Sequence, residues 1–175
     1  MDGSRSVTLV GDGAMATVAA LILQSQGWSP TLLSRDAGRA GELVQARENV
    51  RYLPGYRLPE GVRFSANPSQ ALAGADLLIN AVPTQFIRGV WGELAPHLPG
   101  GVGIASVSKG IERGTTLRPT QIIAEVLQSK SPADHPDKPS RPLASLSGPT
   151  VAEELAKCLP ATACAAADDE GFAKL

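Results

Sequence analysis

The sequence predicts an α/β fold, with a doubly wound, mostly parallel sheet and helices on both faces. Short apolar runs alternate with helical segments along the whole chain, which is the pattern of parallel strands joined by crossover helices. The chain has 175 residues, of which 43% are hydrophobic, enough to build one domain with a sizeable core. A glycine-rich turn separates the first apolar run from the first helical segment. We therefore expect a single domain over residues 1–175.

The N-terminal stretch, residues 7–35, predicts a strand, a tight turn, a helix and a second strand. Gly11, Gly13 and Ala16 in this stretch match the pattern G-x-G-x-x-G/A. Gly11 permits the turn, Gly13 lets the backbone approach a pyrophosphate, and Ala16 lets the helix pack closely on the strand. The start of that helix presents unpaired N–H groups and a positive dipole end to phosphates. The stretch therefore predicts a Rossmann-type fold that binds a dinucleotide.

The residues after the second strand bear on the choice between two dinucleotides. Dinucleotide folds contact the adenosine ribose there, with an acidic residue for a free 2′-OH or an arginine for a 2′-phosphate. Ser34 and Arg35 occupy this place, which favours NADP over NAD, although a solvated surface arginine is the alternative. Asp36 is expected to cap the next helix, residues 37–47.

The remaining elements follow from apolar runs and breakers. We predict further strands at residues 62–65, 76–83, 101–107, 142–146 and 162–166, and helices at residues 67–72, 85–94 (capped by Thr84), 117–127 and 151–158, with a final helical piece from Asp168. Residues 49–59 contain two prolines and a glycine, which predict a structured loop. The polar, proline-containing residues 129–141 predict a surface loop.

Several candidate site residues follow directly after predicted strands, where α/β sheets bind their ligands. Residues 82–86 are expected to form a cofactor wall, with Phe86 either beside the nucleotide or in the core. Lys109 lies where a cation would meet a phosphate or a carbonyl oxygen, although a surface lysine is the alternative. Residues 147–150 lead from a strand into a helix and form a second candidate anion site.

Composition narrows the classes of partner. The formal net charge of −1 gives no reason to expect nucleic acid or an anionic membrane surface as a partner, and no apolar run is long enough to span a bilayer. The N-terminus lacks the features of a signal peptide. The two cysteines, Cys158 and Cys164, have no metal-ligand spacing, so we expect no metal site and free thiols in a reducing cytoplasm.

Five segments together resemble the N-terminal domain of bacterial-type NAD(P)-dependent glycerol-3-phosphate dehydrogenase and cover almost the whole chain. They are VTLVGDGAMAT (7–17), NVRYLPGYRLPEGVRFS (49–65), NAVPTQFIRGV (80–90), VSKGIERGT (107–115) and LSGPTVAEELAKCLPATA (146–163). The first is common to many dehydrogenases, whereas RYLPG, VSKGIE and SGPTVAEE in combination are specific. The resemblance implies reversible hydride transfer between dihydroxyacetone phosphate and sn-glycerol 3-phosphate, which serves phospholipid synthesis.

The resemblance also implies roles for individual residues. The cofactor-binding residues would be Gly11, Asp12, Gly13, Ala14, Met15, Ala16, Arg35 on the adenosine 2′ side, Phe86 near the nicotinamide, Lys109 and Ala152. Substrate would be held by Lys109, Gly148 and Thr150. Ala16 stands where the family has a third glycine, a departure that could loosen the packing of helix on strand.

The resemblance places the catalytic acid/base lysine and the phosphate-binding arginine in a second, helical domain. That domain is expected to be absent from residues 1–175, so we expect no catalytic residue in this chain and no activity of the chain alone. A full-length protein would be a candidate homodimer. The alternative function is a stand-alone, non-catalytic dinucleotide-binding module. A ketopantoate-type or sugar-nucleotide dehydrogenase is a further alternative, which VSKGIE and SGPT disfavour.

Overall fold

The computed structural model describes residues 5–130 and 141–174. Within them the strands are β1 (Ser6–Val10), β2 (Ser29–Leu33), β3 (Glu48–Asn49), β4 (Leu53–Arg57), β5 (Arg63–Ser65), β6 (Leu77–Asn80), β7 (Gly103–Ser106), β8 (Leu143–Ser147) and β9 (Cys164–Ala167). The helices are α1 (Ala14–Ser25), α2 (Ala37–Ala46), α3 (Pro68–Leu72), α4 (Ile87–Leu94), α5 (Pro119–Lys130), α6 (Ala152–Ala156) and α7 (Glu170–Ala173).

Seven strands form one sheet in the order β5-β2-β1-β6-β7-β8-β9. Every pairing in this sheet is parallel except β8 with β9, which is antiparallel. The chain starts in the middle of the sheet at β1, builds outward through β2 and β5, and then returns to add β6 on the other side. This reversal of direction between β1 and β6 makes the doubly wound α/β fold that the sequence predicts.

The core lies on both faces of the sheet because alternate residues of each buried strand point to opposite faces. On one face α1 and α2 pack on the sheet, and the fully buried residues of this cluster include Val7, Leu9, Ala16, Ala20, Leu32 and Leu43. On the other face α3, α4 and α5 pack around Trp91, and this cluster includes Val10, Leu72, Leu78, Ile104, Ile122 and Ile123. Both faces of the sheet are therefore covered, as expected for a sheet of mainly parallel strands.

Residues 49–59 are not wholly a loop, which corrects the sequence-based prediction. The structure places β4 there, paired antiparallel with β3 through Glu48 opposite Arg57. Glu48 Oε1 accepts a hydrogen bond of 2.8 Å from the backbone N–H of Gly55, and Leu53 is completely buried. Pro54 and Gly55 are residues that usually interrupt strands, so the local pattern does not predict this hairpin. It is held instead by the Glu48 side chain, seven residues from Gly55, and by the burial of Leu53.

Thr84 does not cap a helix, contrary to the prediction. It begins a single 3₁₀ turn, Thr84–Phe86, that leads into α4, and its hydroxyl donates to the backbone oxygen of Lys109 at 2.8 Å. A contact between two loops therefore uses the hydroxyl that a cap would have used. The helix α5 also runs to Lys130, past the predicted start of the loop at residue 129, and residues 131–140 of that predicted loop lie outside the described residues.

In residues 5–130 and 141–174, no helix is long and apolar enough to cross a membrane.

Candidate functional site

The candidate site lies at the edge of the sheet where the parallel strands end. Val10, Leu33, Asn80 and Ser106 occupy one row across β1, β2, β6 and β7, so the loops that follow these strands start side by side. The site residues predicted from the sequence all belong to these loops, to the loop after β8, or to the helices that begin there. Parallel pairing therefore brings together residues that are far apart in the chain.

Two glycines of the first turn do different work. Gly11 has a φ of +112°, and a Cβ at this position would lie 3.3 Å from the backbone oxygen of Ala81, so both conformation and space require glycine. Gly13 has φ −73° and ψ 179°, which any residue can adopt, and a Cβ here would meet nothing within 4 Å. The space beside Gly13 is therefore open, which is what an approaching pyrophosphate needs.

No side chain caps the start of α1. Gly13 is its N-cap residue and provides no side-chain cap, and the first turn of α1 contains no acidic residue. The first N–H groups of the helix are thus left for an external acceptor, in line with the helix dipole. Ala16 is completely buried beside Val7 and Leu9, so an alanine provides the close contact of helix and sheet that the pattern predicts.

The acidic residue in the turn has its own counter-charge. Asp12 Oδ2 lies 3.4 Å from Arg39 Nε on α2, and both side chains are mostly buried. The two atoms do not meet in hydrogen-bonding geometry, and neither has another hydrogen-bond partner among the described residues. Arg39 therefore offsets the negative charge of Asp12 electrostatically, next to the place where an anionic ligand would lie.

Arg35 projects into solvent after β2. Its side chain is 89% exposed, and its Nε lies 3.6 Å from Asp36 Oδ2, a surface pair that contributes little to stability. Asp36 caps α2 as predicted, since its Oδ1 accepts a hydrogen bond of 2.9 Å from the backbone N–H of Arg39. That hydrogen bond holds the pKa of Asp36 below its ordinary value. The guanidinium of Arg35 therefore stays exposed at the end of β2, with Asp36 as its surface partner.

A buried amide ties the loops after β6 and β7 together. Asn80 is fully buried, and its Nδ2 donates to Ser106 Oγ at 3.0 Å and to Ser108 Oγ at 2.9 Å. Its Oδ1 accepts from the indole N–H of Trp91 at 2.9 Å. Ser108 Oγ in turn donates to the backbone oxygen of Val82 at 2.6 Å. All hydrogen-bonding groups of the amide point to defined partners, so the two loops leave the sheet in one arrangement.

Phe86 is 65% exposed on the 3₁₀ turn after β6. The alternative of a core position for Phe86 is therefore wrong, and its ring is available at the edge of the site. Whether it packs beside a nucleotide stays a prediction.

Lys109 and Thr150 meet across the ends of two neighbouring strands. Lys109 Nζ donates to the backbone oxygen of Thr150 at 2.8 Å and to its Oγ1 at 3.0 Å. A cavity of about 200 Å³ extends from Thr150 to Met15 at the start of α1, with Leu146 and Leu155 in its wall. Of the sequence-predicted site residues, Met15 and Thr150 line this cavity, and the rest of its wall is mostly apolar.

Gly148 has a packing reason to be glycine. A Cβ at this position would overlap the backbone oxygen of Thr162, so no side chain fits between this turn and the segment leading into β9. The backbone oxygen of Gly148 accepts from the N–H of Thr150 at 2.8 Å, which shapes the turn that presents Thr150. Ala152 follows as the half-buried first residue of α6.

Comparison with known proteins decides the family. The family model described as NAD-dependent glycerol-3-phosphate dehydrogenase N-terminus matches residues 6–173. The chain belongs to this family. It is 37% identical over 170 residues to a glycerol-3-phosphate dehydrogenase (NAD(P)+) of Corynebacterium glutamicum, covering 97% of this chain and 48% of the relative. A second relative, glycerol-3-phosphate dehydrogenase (NAD(P)+) 2 of Mycobacterium tuberculosis, is 36% identical over 170 residues, with the same coverage.

A solved structure of glycerol-3-phosphate dehydrogenase from Coxiella burnetii has the same fold, with a TM-score of 0.85 and 26% sequence identity. The match covers 98% of this chain and 49% of that structure. The chain thus spans about half the length of the curated relatives and of the solved structure that it matches.

Two features of this glycerol-3-phosphate dehydrogenase family chain escaped the sequence-based prediction. One is Asn49, which is fully buried and contacts the glycine turn. The other is an ion-pair cluster beside Lys109, in which Arg88 donates to both carboxylate oxygens of Glu112, at 2.9 and 2.8 Å. The sequence signal for these residues was their place in segments that resemble the family, which contain Asn49, Arg88 and Glu112. Nothing in the sequence indicates which residues they contact.

Glu112 anchors the loop that carries Lys109. Besides Arg88, its Oε2 accepts a hydrogen bond of 2.6 Å from Thr115 Oγ1, and Arg88 also donates to Glu125 on α5 at 2.9 Å. The hydrogen bonds from Arg88 and Thr115 hold the pKa of Glu112 below its ordinary value. The loop after β7 is therefore fastened to both α4 and α5.

We expect Glu112→Gln to lower the free energy of unfolding by about 1–2 kcal/mol at neutral pH, because charged hydrogen bonds are lost while Arg88 remains partly in water. Since the pKa of Glu112 is depressed in the folded state, its contribution is present above the unfolded-state value of about 4.3 and disappears as the pH falls through the folded-state value. Urea unfolding between neutral and acid pH should therefore show a smaller pH dependence in the variant. The same change in the free energy of unfolding with pH in both proteins would contradict this role of Glu112.

Proposed function

We propose that this chain binds NAD(P) at the carboxyl edge of its sheet and forms the nucleotide-binding part of a glycerol-3-phosphate dehydrogenase. The observation that carries the proposal is the open space beside Gly13, next to a helix start without side-chain cap or acidic residue. Two phosphates fit such a place, because backbone N–H groups and the helix dipole favour negative charge and no side chain blocks the approach.

The other site residues are assigned around that anchor. The dinucleotide would contact Gly11, Asp12, Gly13, Ala14, Met15 and Ala16 at the turn and first helix, Arg35 at the adenosine ribose, and Phe86, Lys109 and Ala152 toward the nicotinamide. The exposure of Arg35 and of Phe86 supports this assignment, since a ligand can reach both side chains from solvent. The bound cofactor would supply the hydride; the chain would bind and orient it.

For the substrate, we propose dihydroxyacetone phosphate and sn-glycerol 3-phosphate, held by Lys109, Gly148 and Thr150. The ammonium group of Lys109 is already directed by Thr150 and can stabilise negative charge on a phosphate or on a carbonyl oxygen. We assign no acid/base catalyst in this chain. Turnover is therefore proposed for a longer protein that also carries the second, helical domain, and the chain alone is proposed to bind without catalysing.

Isothermal titration with NADPH and with NADH tests the cofactor proposal. We expect saturable binding of at least one of them with one site per chain. No detectable heat with either cofactor, for a chain whose circular dichroism shows it folded, would contradict the proposal. If binding is found, adding a separately expressed second domain from a relative should restore turnover; binding without any turnover would favour the stand-alone module instead.

We expect Arg35→Asp to lower the ratio of NADPH affinity to NADH affinity by about 10- to 100-fold. The substitution removes a cation that can pair with the 2′-phosphate and introduces repulsion, while an acidic residue accepts from a free 2′-OH. The matched control is Arg63→Asp, an exposed arginine at the first position of β5, away from the carboxyl edge. An unchanged ratio in Arg35→Asp, or an equal change in the control, would remove Arg35 from the site.

We expect Lys109→Met to weaken the binding of dihydroxyacetone phosphate to the NADPH-saturated chain by at least about 10-fold, since it removes a charge-assisted contact. Saturation-transfer NMR can measure this binding. Thr150→Val should have a smaller effect. The Lys109 ammonium group remains, and it loses its hydrogen bond to Thr150 Oγ1 but keeps the one to the backbone oxygen of residue 150. Absence of substrate binding to the unmodified chain at millimolar concentration would contradict the substrate assignment for residues 1–175.

The remaining parts of the proposal concern setting and assembly. The free, exposed thiols of Cys158 and Cys164 support a reducing, cytoplasmic location. A homodimer is proposed for the longer protein, with no nucleic acid or metal as partner. Analytical ultracentrifugation of a full-length homologue and of this chain would test the dimer.

A further inference from the structure

We infer that Asn49 sets the direction of the phosphate-binding N–H groups in the glycine turn, without touching the cofactor itself. This inference rests on the proposed function. Asn49 is the last residue of β3 and has no exposed surface. A side-chain amide has two N–H donors and an oxygen with two lone pairs, and in Asn49 all four are used.

The donor side of the amide holds the turn. Asn49 Nδ2 donates to the backbone oxygen of Asp12 at 2.8 Å and to Thr17 Oγ1 at 2.7 Å. The hydroxyl of Thr17, which accepts from Asn49, donates in turn to the backbone oxygen of Gly13 at 2.9 Å. One buried amide thus controls two successive carbonyl groups, one directly and one through a hydroxyl.

Those two carbonyls decide where the N–H groups point. A trans peptide is planar, with C=O and N–H on opposite sides. Because the oxygen of Asp12 points at Asn49, the N–H of Gly13 in the same peptide points away from Asn49. The oxygen of Gly13 points along α1, where it also accepts from the N–H of Thr17 at 3.0 Å, so the N–H of Ala14 points out of the helix start. Both N–H groups are directed before any ligand arrives.

The acceptor side fixes which way the amide is turned. Asn49 Oδ1 accepts from the guanidinium of Arg39 and, at 3.3 Å, from the backbone N–H of Tyr52, which also donates to the backbone oxygen of Asn49 at 3.1 Å. Both partners are donors, so only the oxygen of the amide can face them, and the NH₂ group must face the turn. Arg39 Nη1 donates to Glu42 Oε2 at 2.8 Å, and the guanidinium carbon of Arg39 lies 5.3 Å from the centre of the Tyr52 ring. The β3–β4 hairpin and α2 therefore act as a frame for the glycine turn.

Asn49 is accordingly a positioning residue. Its loss should weaken binding of the pyrophosphate, and therefore of NADPH and NADH alike, whether or not the adenosine ribose carries a 2′-phosphate. Without the hydrogen bonds from Asn49, the N–H groups of the turn are not held toward the ligand. Binding must then order the turn, and the entropy lost in doing so weakens the affinity. We expect the dissociation constants of NADPH and NADH to rise by the same factor, about 10-fold or more, in Asn49→Asp and in Thr17→Val. Asn49→Asp keeps the acceptors for Arg39 and Tyr52 and removes both donors; Thr17→Val replaces one hydroxyl by a methyl group.

The test is isothermal titration of the 175-residue chain and these variants with NADPH, NADH and adenosine 2′-monophosphate, which lacks the pyrophosphate. The expected result is weaker binding of both dinucleotides with an unchanged ratio, unchanged binding of adenosine 2′-monophosphate, and native affinity in the control Thr17→Ser, which keeps the hydroxyl. A role in stability alone would lower the melting temperature and leave all three dissociation constants unchanged below it.

Two outcomes separate this inference from the proposed function. If the unmodified chain binds the dinucleotides and Thr17→Val binds them equally well, the inference is overturned and the proposed function stands. If the folded, unmodified chain binds neither dinucleotide, the proposed function fails and the inference fails with it. Should Asn49→Asp not fold, Thr17→Val decides, because it changes a single buried atom within α1 and preserves side-chain size.

Discussion

Gly13→Val is expected to abolish cofactor binding, with an affinity loss of at least about 100-fold, while the chain stays folded. The backbone of Gly13 has φ −73° and ψ 179°, an extended conformation that β-branched residues adopt readily. A Cβ there would meet nothing within 4 Å apart from the adjoining residues, so the fold has room where the valine side chain begins. The valine side chain would instead occupy the space that the pyrophosphate needs. Calorimetric titration with NADPH, beside a thermal melt of both proteins, measures the two effects separately.

Two other glycines serve as controls for Gly13. Gly92→Ala in the interior of α4, where a Cβ also meets nothing, should leave affinity unchanged and raise stability by about 0.5–1 kcal/mol. Gly11→Ala should instead destabilise the fold, since φ is +112° and the Cβ would press on Ala81. Native NADPH affinity in folded Gly13→Val would show that the phosphates do not bind at this turn.

Trp91→Ala is expected to lower the free energy of unfolding by about 3–5 kcal/mol, the range for removing a large buried aromatic side chain. That is a substantial part of the 5–15 kcal/mol by which native domains are stable. Trp91 is completely buried in the cluster that joins α4 and α5 to the sheet. Its indole N–H also donates to Asn80 Oδ1 at 2.9 Å, and the variant leaves that oxygen without this donor. Urea unfolding followed by circular dichroism measures the loss.

Trp91→Phe separates packing from hydrogen bonding at the same position. It keeps most of the apolar volume but removes the N–H, so we expect a smaller loss of about 1–2 kcal/mol. Because Asn80 orients Ser106 and Ser108, this variant should also shift the NMR signals of the loop that carries Lys109. A loss below 1 kcal/mol in Trp91→Ala would contradict the central place of Trp91 in the core.

Local sequence was sufficient for the sheet and for most positions at its carboxyl edge. The strands predicted at residues 76–83 and 101–107 form, although they end at Asn80 and Ser106 in the structure. The residues that follow parallel strands gather at one edge of the sheet. The cap at Asp36 was visible for the same reason, since its partner Arg39 is three residues away. The hairpin of β3 and β4 was missed because Pro54 and Gly55 mask its pattern, and Thr84 was misassigned because its hydroxyl bonds Lys109 in another loop.

The sequence by itself determined the α/β class, the glycine turn and the family, because these depend on residue types within a few positions of one another. Only the tertiary structure decided what holds the site in place. Asn49 meets Asp12 across 37 residues, and Lys109 meets Thr150 across 41. Arg88 and Glu112 pair across 24. Contacts of this kind have no local signature, since any buried amide or charged side chain could serve many partners until the order of strands in the sheet brings one within hydrogen-bond distance.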